Sequence, residues 1–155
     1  MLDHDHTVEV RWTGDRGTGT SDHRAYGRDH VVSAAGKPDL PGSAAQPFRG
    51  DADRWNPEDL LVAALAQCHM LSYLHVAALA GITVVEYEDR ATGHLDVHPD
   101  GSGELTDALL RPVVTILEPD RVADATAAHA RASSLCFIAR SVSFPVRHEP
   151  VIRVR

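Results

Sequence analysis

The sequence has little with which to cross-link itself: only two cysteines in 155 residues, Cys68 and Cys136. A chain of this size buries about two thirds of its unfolded surface and needs neither disulfide nor metal to fold. Positive charge is also scarce. Fifteen Lys and Arg face 22 Asp and Glu, for a net charge of −7 and a pI near 5.7. That excludes general nucleic-acid binding through a basic surface. The longest uninterrupted apolar run, Leu60 to Ala66, is far too short to span a bilayer. The start, Met1-Leu2-Asp3-His4-Asp5-His6, lacks the basic segment and apolar core of a signal peptide. The expectation is a cytoplasmic protein with neither membrane nor nucleic acid as partner. In that compartment a cysteine pair is more often reduced or redox-active than a structural staple.

Other absences narrow the chemistry. HExxH, CxxC, GxGxxG and the phosphate-loop signature are all missing. Gly17-Thr18-Gly19 lacks the helix and lysine a phosphate loop needs. Ser72 and Ser133 have no nucleophile elbow around them. The ten histidines do not group. His4 and His6 lie in the N-terminal tail, and His69 and His75 fall on different helix faces. Cys68 and His75 share a face but stand about 10.5 Å apart along it. No metal and no cofactor are expected.

What is present reads as an α+β chain. Residues 7–13 alternate and predict a strand, Gly14 to Gly19 a turn, and residues 24–33 a second strand, giving an N-terminal hairpin region over 1–35. Residues 36–55, rich in Pro, Gly, Asp and Ser, predict a long loop. A helix then starts cleanly. Asn56 is a good N-cap, Pro57 suits the first helical position, and Glu58 and Asp59 favour the positive end. The apolar pattern runs to Ala80 and Gly81 can close it. This predicts a central helix over 56–81, roughly 36 Å long and buried, because nearly every face is apolar. Residues 82–98 and 103–117 predict two long strands joined by Asp100-Gly101-Ser102-Gly103. Pro119 and Asp120 open a second helix to about Ser134. Phe137 to Val142 predicts a short helical turn, and 145–155 a last strand. Residues 82–155 thus read β-β-α-β, and 1–155 as a single α+β domain with antiparallel pairing.

The two cysteines carry the chemistry. If the fold brings them together they form a dithiol that can cycle through a disulfide. Free cysteine also serves as a small hydrophobe, and reactivity requires the thiolate, hence a cation or helix N-terminus nearby. Cys136, between the second helix and the short turn, would sit near such a terminus. Arg16, in the turn Asp15-Arg16-Gly17, would supply a planar cationic fork if held over Cys68. Glu58 is explained as a dipole partner, and would also orient Arg16 through a bidentate pair. Ten residues of continuous helix separate Glu58 from Cys68 by about 15 Å. One chain cannot bring both to one site, whereas an antiparallel helix of a second chain can. The all-round apolar helix asks for the same cover, so an intimate homodimer is expected.

These residues resemble the OsmC/Ohr family of osmotically inducible and organic-hydroperoxide-resistance proteins. The resemblance rests on Asn56-Pro57-Glu58-Asp59-Leu60, the ten-residue step to Cys68, the turn Gly14-Asp15-Arg16-Gly17-Thr18-Gly19, and the second cysteine 68 residues on. It covers nearly the whole chain. It implies an OsmC-like intertwined homodimer, two central helices enclosed by sheets from both chains, and a thiol peroxidase acting on organic hydroperoxides or hydrogen peroxide. Cys68 would then be the peroxidatic cysteine, Cys136 the resolving one, Arg16 the thiolate-activating arginine and Glu58 its carboxylate partner. An external dithiol, of lipoyl type, or a small thiol would be the reductant. Phe48, Trp55, His69, Met70 and Phe137 are candidate walls of a peroxide pocket. The sequence departs from the family where His69 replaces an aromatic residue after the first cysteine, Phe137 replaces a proline after the second, and the loop over 36–55 is long. These are features of a divergent subfamily. They also fit a rival reading, a non-catalytic OsmC-like dimer that binds a ligand or senses redox state.

Overall fold

A computed structural model describes residues 4–155; the first three residues of the tail considered above lie outside the described residues. The backbone forms two compact units, Met1–Leu60 and Leu61–Arg155. In the first, β1 (Glu9–Trp12), β2 (His30–Ser33) and β3 (Leu40–Gly42) make an antiparallel sheet in that order. The two expected strands are present but shorter, and residues 13–29 form a long excursion between them. Its base is closed by Thr13 N–H donating to the Asp29 carbonyl (2.8 Å) and Gly27 N–H to the Gly14 carbonyl (2.8 Å). Gly14 has to be glycine here, since a Cβ would lie 2.1 Å from the Gly27 carbonyl oxygen.

Residues 36–55 are not a plain loop. They supply β3, a 3-10 turn over Gln46–Phe48, and a bridge between Gly42 and Trp55. Leu40-Pro41-Gly42 looks like a breaker in the sequence. As an edge strand, however, β3 tolerates a proline with no N–H to give.

Helix α1 (Pro57–Leu79) starts as expected. The Asn56 side-chain oxygen accepts from the Asp59 N–H at 2.8 Å, and its amide donates to the Asp59 carboxylate at 2.7 Å. Gly81, at φ 69°, ends it. Leu65, His69, Tyr73 and Ala77 form its buried stripe, one residue every fourth. Within one chain the all-round burial expected of this helix is not reached: Leu71 is 61% and Leu79 76% exposed. A window of α1 has mean hydropathy 1.5, so by length and composition alone the helix is apolar enough to cross a membrane. The seven-residue run hides this, because Gln67 and His69 interrupt it.

The second unit continues with β4 (Val84–Asp89), β5 (Thr92–Val97), β6 (Gly103–Leu110), β7 (Pro112–Ile116), α2 (Val122–Leu135), β8 (Val146–His148) and β9 (Val151–Val154). The two long predicted strands each break in two, at residues 90–91 and at Arg111. The bend is pinned where the Asp89 carboxylate accepts from the Arg111 N–H at 2.7 Å. The last strand breaks likewise at Glu149-Pro150. Two sheets result, ordered β4-β7-β9 and β5-β6-β8. The pairing is mixed rather than wholly antiparallel: β8 runs parallel to β6, and β9 to β7. The reason is α2, which carries the chain back as a crossover connection. The short turn after α2 is a 3-10 helix over Ala139–Ser141. Tyr73 and Ala77 of α1, Val114 and Ile116 of β7, and Ala125, Ala128 and Ala132 of α2 share the core. Small residues at that spacing let α2 lie close. A buried Val or Ile there contributes about 1.5–3 kcal/mol.

Candidate functional site

Cys68 stands on α1 beside the buried stripe and is itself half-buried. Cys136 caps the C-terminus of α2, where the chain turns to extended backbone (φ −72°, ψ 109°). Its side chain is 1% exposed. Both thiols are free, and Cys68 lies close enough to Cys136 to act, after burial, on its thiol. The fold therefore brings together the two cysteines that the sequence leaves 68 residues apart.

The surroundings of Cys136 reverse one expectation. The Ala139 N–H, in the turn after α2, does donate to Cys136 Sγ at 3.4 Å. That favours a thiolate, but burial and the contact with Cys68 outweigh it and push the thiol up to about 11. At neutral pH Cys136 is a protonated thiol, and the half-exposed Cys68 is the sulfur that solutes can approach.

Arg16 lies exposed in its turn. The Asp15 carboxylate shapes that turn by accepting from the N–H groups of Gly17 (2.8 Å) and Gly19 (2.9 Å). The Gly19 and then the Gly17 bond hold Asp15 below the usual carboxylate range. The Arg16 guanidinium lies over Gly27, where a Cβ would come within 3.2 Å of it. Among the described residues it forms no ion pair with Glu58. The expected Arg16–Glu58 pair is therefore not made within one chain, because the turn directs Arg16 onto Gly27.

Glu58 instead borders an open cleft of about 390 Å³ with Arg28, His30, Ser43 and Phe48. One of its carboxylate oxygens, Oε2, is buried without a hydrogen-bond partner. Arg28, which the sequence did not single out, borders the same cleft. Its guanidinium donates to the carbonyls of Tyr26 (2.7 Å) and His23 (2.9 Å) and lies 4.2 Å above the Tyr26 ring. In the sequence nothing separates it from Arg24 or Arg49.

The pocket candidates scatter. Phe48 walls the Glu58 cleft, whereas Trp55 borders a smaller one of about 250 Å³ with Asp59. Met70 is half-buried on α1. Phe137 is 80% exposed beside Cys136. His69 borders neither of these clefts; it is 2% exposed and sits in the core of the second unit. There its Nε2 meets Nδ1 of His129 on α2 at 3.0 Å. His148 of β8 stacks on both rings, at centroid distances of 5.4 and 5.9 Å. Tyr73 stacks on His129 at 3.9 Å and donates its hydroxyl to the Ala125 carbonyl. Burial, then the neighbouring imidazole, lowers His69 to about 4 and His129 to about 3, so both are neutral at pH 7. This cluster also escaped the sequence reading, since 60 residues separate its two hydrogen-bonded members. Among the described residues no group of three or more His, Cys, Asp or Glu is arranged to hold a metal.

Comparison with known proteins agrees with this architecture. The profile of a family described as OsmC-like protein matches residues 50–150. No curated protein matches the chain. An OsmC-like protein of unknown function from Vibrio cholerae is 29% identical, with a TM-score of 0.84 over 96% of this chain and 100% of that one. An organic hydroperoxide resistance protein from Legionella pneumophila is 20% identical, with a TM-score of 0.69 over 97% and 99%. Another, from Elizabethkingia anophelis, crystallised with thiocyanate bound, is 16% identical, with a TM-score of 0.68 over 99% and 100%.

Proposed function

Because the chain belongs to the OsmC/Ohr family, we propose that it is a cysteine-based peroxidase that reduces organic hydroperoxides. The observation that carries the reading is the proximity of two free thiols, Cys68 on α1 and Cys136 at the end of α2. A Cys68 thiolate attacks the distal peroxide oxygen. The O–O bond breaks, the alcohol leaves with a proton, and the sulfur is oxidised to a sulfenic acid. Cys136, held as a thiol, gives up its proton as the S–S bond forms and water leaves. An external dithiol, of lipoyl type, then reduces the disulfide.

The protein acts as a homodimer in this reading. Leu71 and Leu79 of α1 need cover, and the roughly 15 Å between Glu58 and Cys68 calls for a second protomer to complete each site. Arg28, which shares the Glu58 cleft, takes the activating place that the resemblance gives to Arg16. Glu58 keeps a buried carboxylate oxygen without a partner in that cleft, an acceptor open to an arginine donor. The acidic composition and the two free cysteines fit a cytoplasmic setting.

The test is consumption of cumene hydroperoxide by the reduced protein, with and without dihydrolipoamide. Many turnovers with the dithiol support the peroxidase. One equivalent consumed without recycling supports the redox-sensing alternative, and no consumption removes both.

A further inference from the structure

Two of the three imidazoles in the core of the second unit are fully enclosed, and enclosure of that kind is costly unless the groups are bonded. His69 and His129 are bonded to each other at 3.0 Å. The other ring nitrogen of His129, Nε2, is buried without a partner. An orphaned lone pair is tolerated in a protein interior more readily than an orphaned N–H. His129 therefore keeps its proton on Nδ1 and donates it to Nε2 of His69. The bond has one direction and joins one residue of α1 to one of α2.

Its place along the two helices is specific. His69 follows Cys68 directly on α1. His129 precedes Cys136 by seven residues, about two turns of α2. The side chains of the rest of the α2 face, Ala125, Ala128 and Ala132, are small and smooth; beside the histidine pair, the Tyr73 hydroxyl reaches the Ala125 backbone carbonyl, which accepts without regard to the side chain there. The core alanines supply burial without register, whereas a directional polar contact supplies it.

We infer that the His69–His129 hydrogen bond is the positioning element of the dithiol: it sets the register of α1 against α2 that brings Cys68 and Cys136 near each other. Tyr73, stacked on His129, and His148, stacked on both imidazoles, hold the ring planes. This rests on the thiol–disulfide reading above, and it adds to that reading a pair of residues that touch no substrate.

The test is the equilibrium of the purified protein with glutathione: the two thiols and one glutathione disulfide exchange to the Cys68–Cys136 disulfide and two glutathione thiols. The equilibrium constant is the effective concentration of one thiol at the other. His129→Leu should lower it by about tenfold or more. His129→Asn, whose side-chain amide offers a donor where Nδ1 was, should restore it to within about threefold. If His129→Leu fails to fold, His69→Leu and its rescue His69→Gln, which supplies an acceptor in place of Nε2, give the same comparison. A wild-type disulfide whose equilibrium is unchanged in the leucine variants overturns the positioning role alone. So does an equal loss in leucine and amide variants, which would mean ring volume and not the bond. A wild-type protein that forms no Cys68–Cys136 disulfide overturns the thiol reading itself.

Discussion

The Glu58 cleft of the first unit and the histidine stack of the second each bury a polar atom that nothing satisfies, Glu58 Oε2 and His129 Nε2. They differ in access and in charge. The cleft is open and its orphan belongs to a carboxylate, so a donor from outside can enter and be held. The stack is closed and its orphan is a neutral lone pair, so the cost is small and no partner can reach it. The first arrangement suits recruitment of a group during a reaction; the second suits permanent construction. An unsatisfied polar atom thus points to function only where solute or another chain can arrive.

Removing the proposed nucleophile should have the largest effect. Cys68→Ser is expected to abolish peroxide reduction, since a hydroxyl is not ionised near neutral pH. Wild-type turnover in that variant would remove Cys68 as nucleophile. Next comes Cys136→Ser. One peroxide equivalent should still react, multiple turnover should stop, and intact mass spectrometry should show oxygens accumulating on Cys68. Sustained turnover with a dithiol would take the resolving role from Cys136.

The closed region should show itself in stability against pH. His69 and His129 are lowered from 6.5 to about 4 and about 3. Each therefore contributes stability that is present above pH 6.5 and lost as pH falls toward its folded value, because the unfolded chain takes up the proton first. At about 1.4 kcal/mol per pKa unit, a few kcal/mol should disappear between about pH 6.5 and pH 4. Asp89, raised mainly by burial, works in the opposite sense, within the carboxylate range. Urea unfolding at stepped pH checks this. A flat profile across that window would mean that the stack is open to water.

The open region should give smaller, coupled effects. Glu58→Gln and Arg28→Lys should each slow peroxide reduction about tenfold, or 1.4 kcal/mol, and the double variant should be little worse than either, since both disturb one unit. Arg16→Lys should change the rate by less than about twofold and add simply to Glu58→Gln. Coupling of Glu58 to Arg16, with additivity at Arg28, would return the activating role to Arg16.

How much of this could be read beforehand depended on the range of the interaction. The cap at Asn56 and the stop at Gly81 are local, carried by a few adjacent residues, and both stand where the sequence puts them. The bends at Arg111 and Pro150 escaped because β-propensity does not register where one strand leaves a sheet and joins the next. The parallel pairing of β8 and β9 escaped because it follows from the path of α2, not from either strand. Phe48, picked out as a wall of the peroxide pocket, borders the cleft of Glu58. His69 was picked out for the same reason and belongs to the core, since adjacency to Cys68 along a helix rotates it onto another face.

By itself the sequence determined the α+β class, the start and end of the long helix, the single pair of thiols and their family resemblance. Those depend on residue type, period and spacing, which a chain carries before it folds. Only the tertiary structure decided that Cys136 is held as a thiol against Cys68, that Arg28 and not Arg16 shares the cleft with Glu58, and that His69 is bonded to His129. Each of those depends on which distant residues are brought together and kept from water, and there burial and hydrogen bonding reset what a side chain can do.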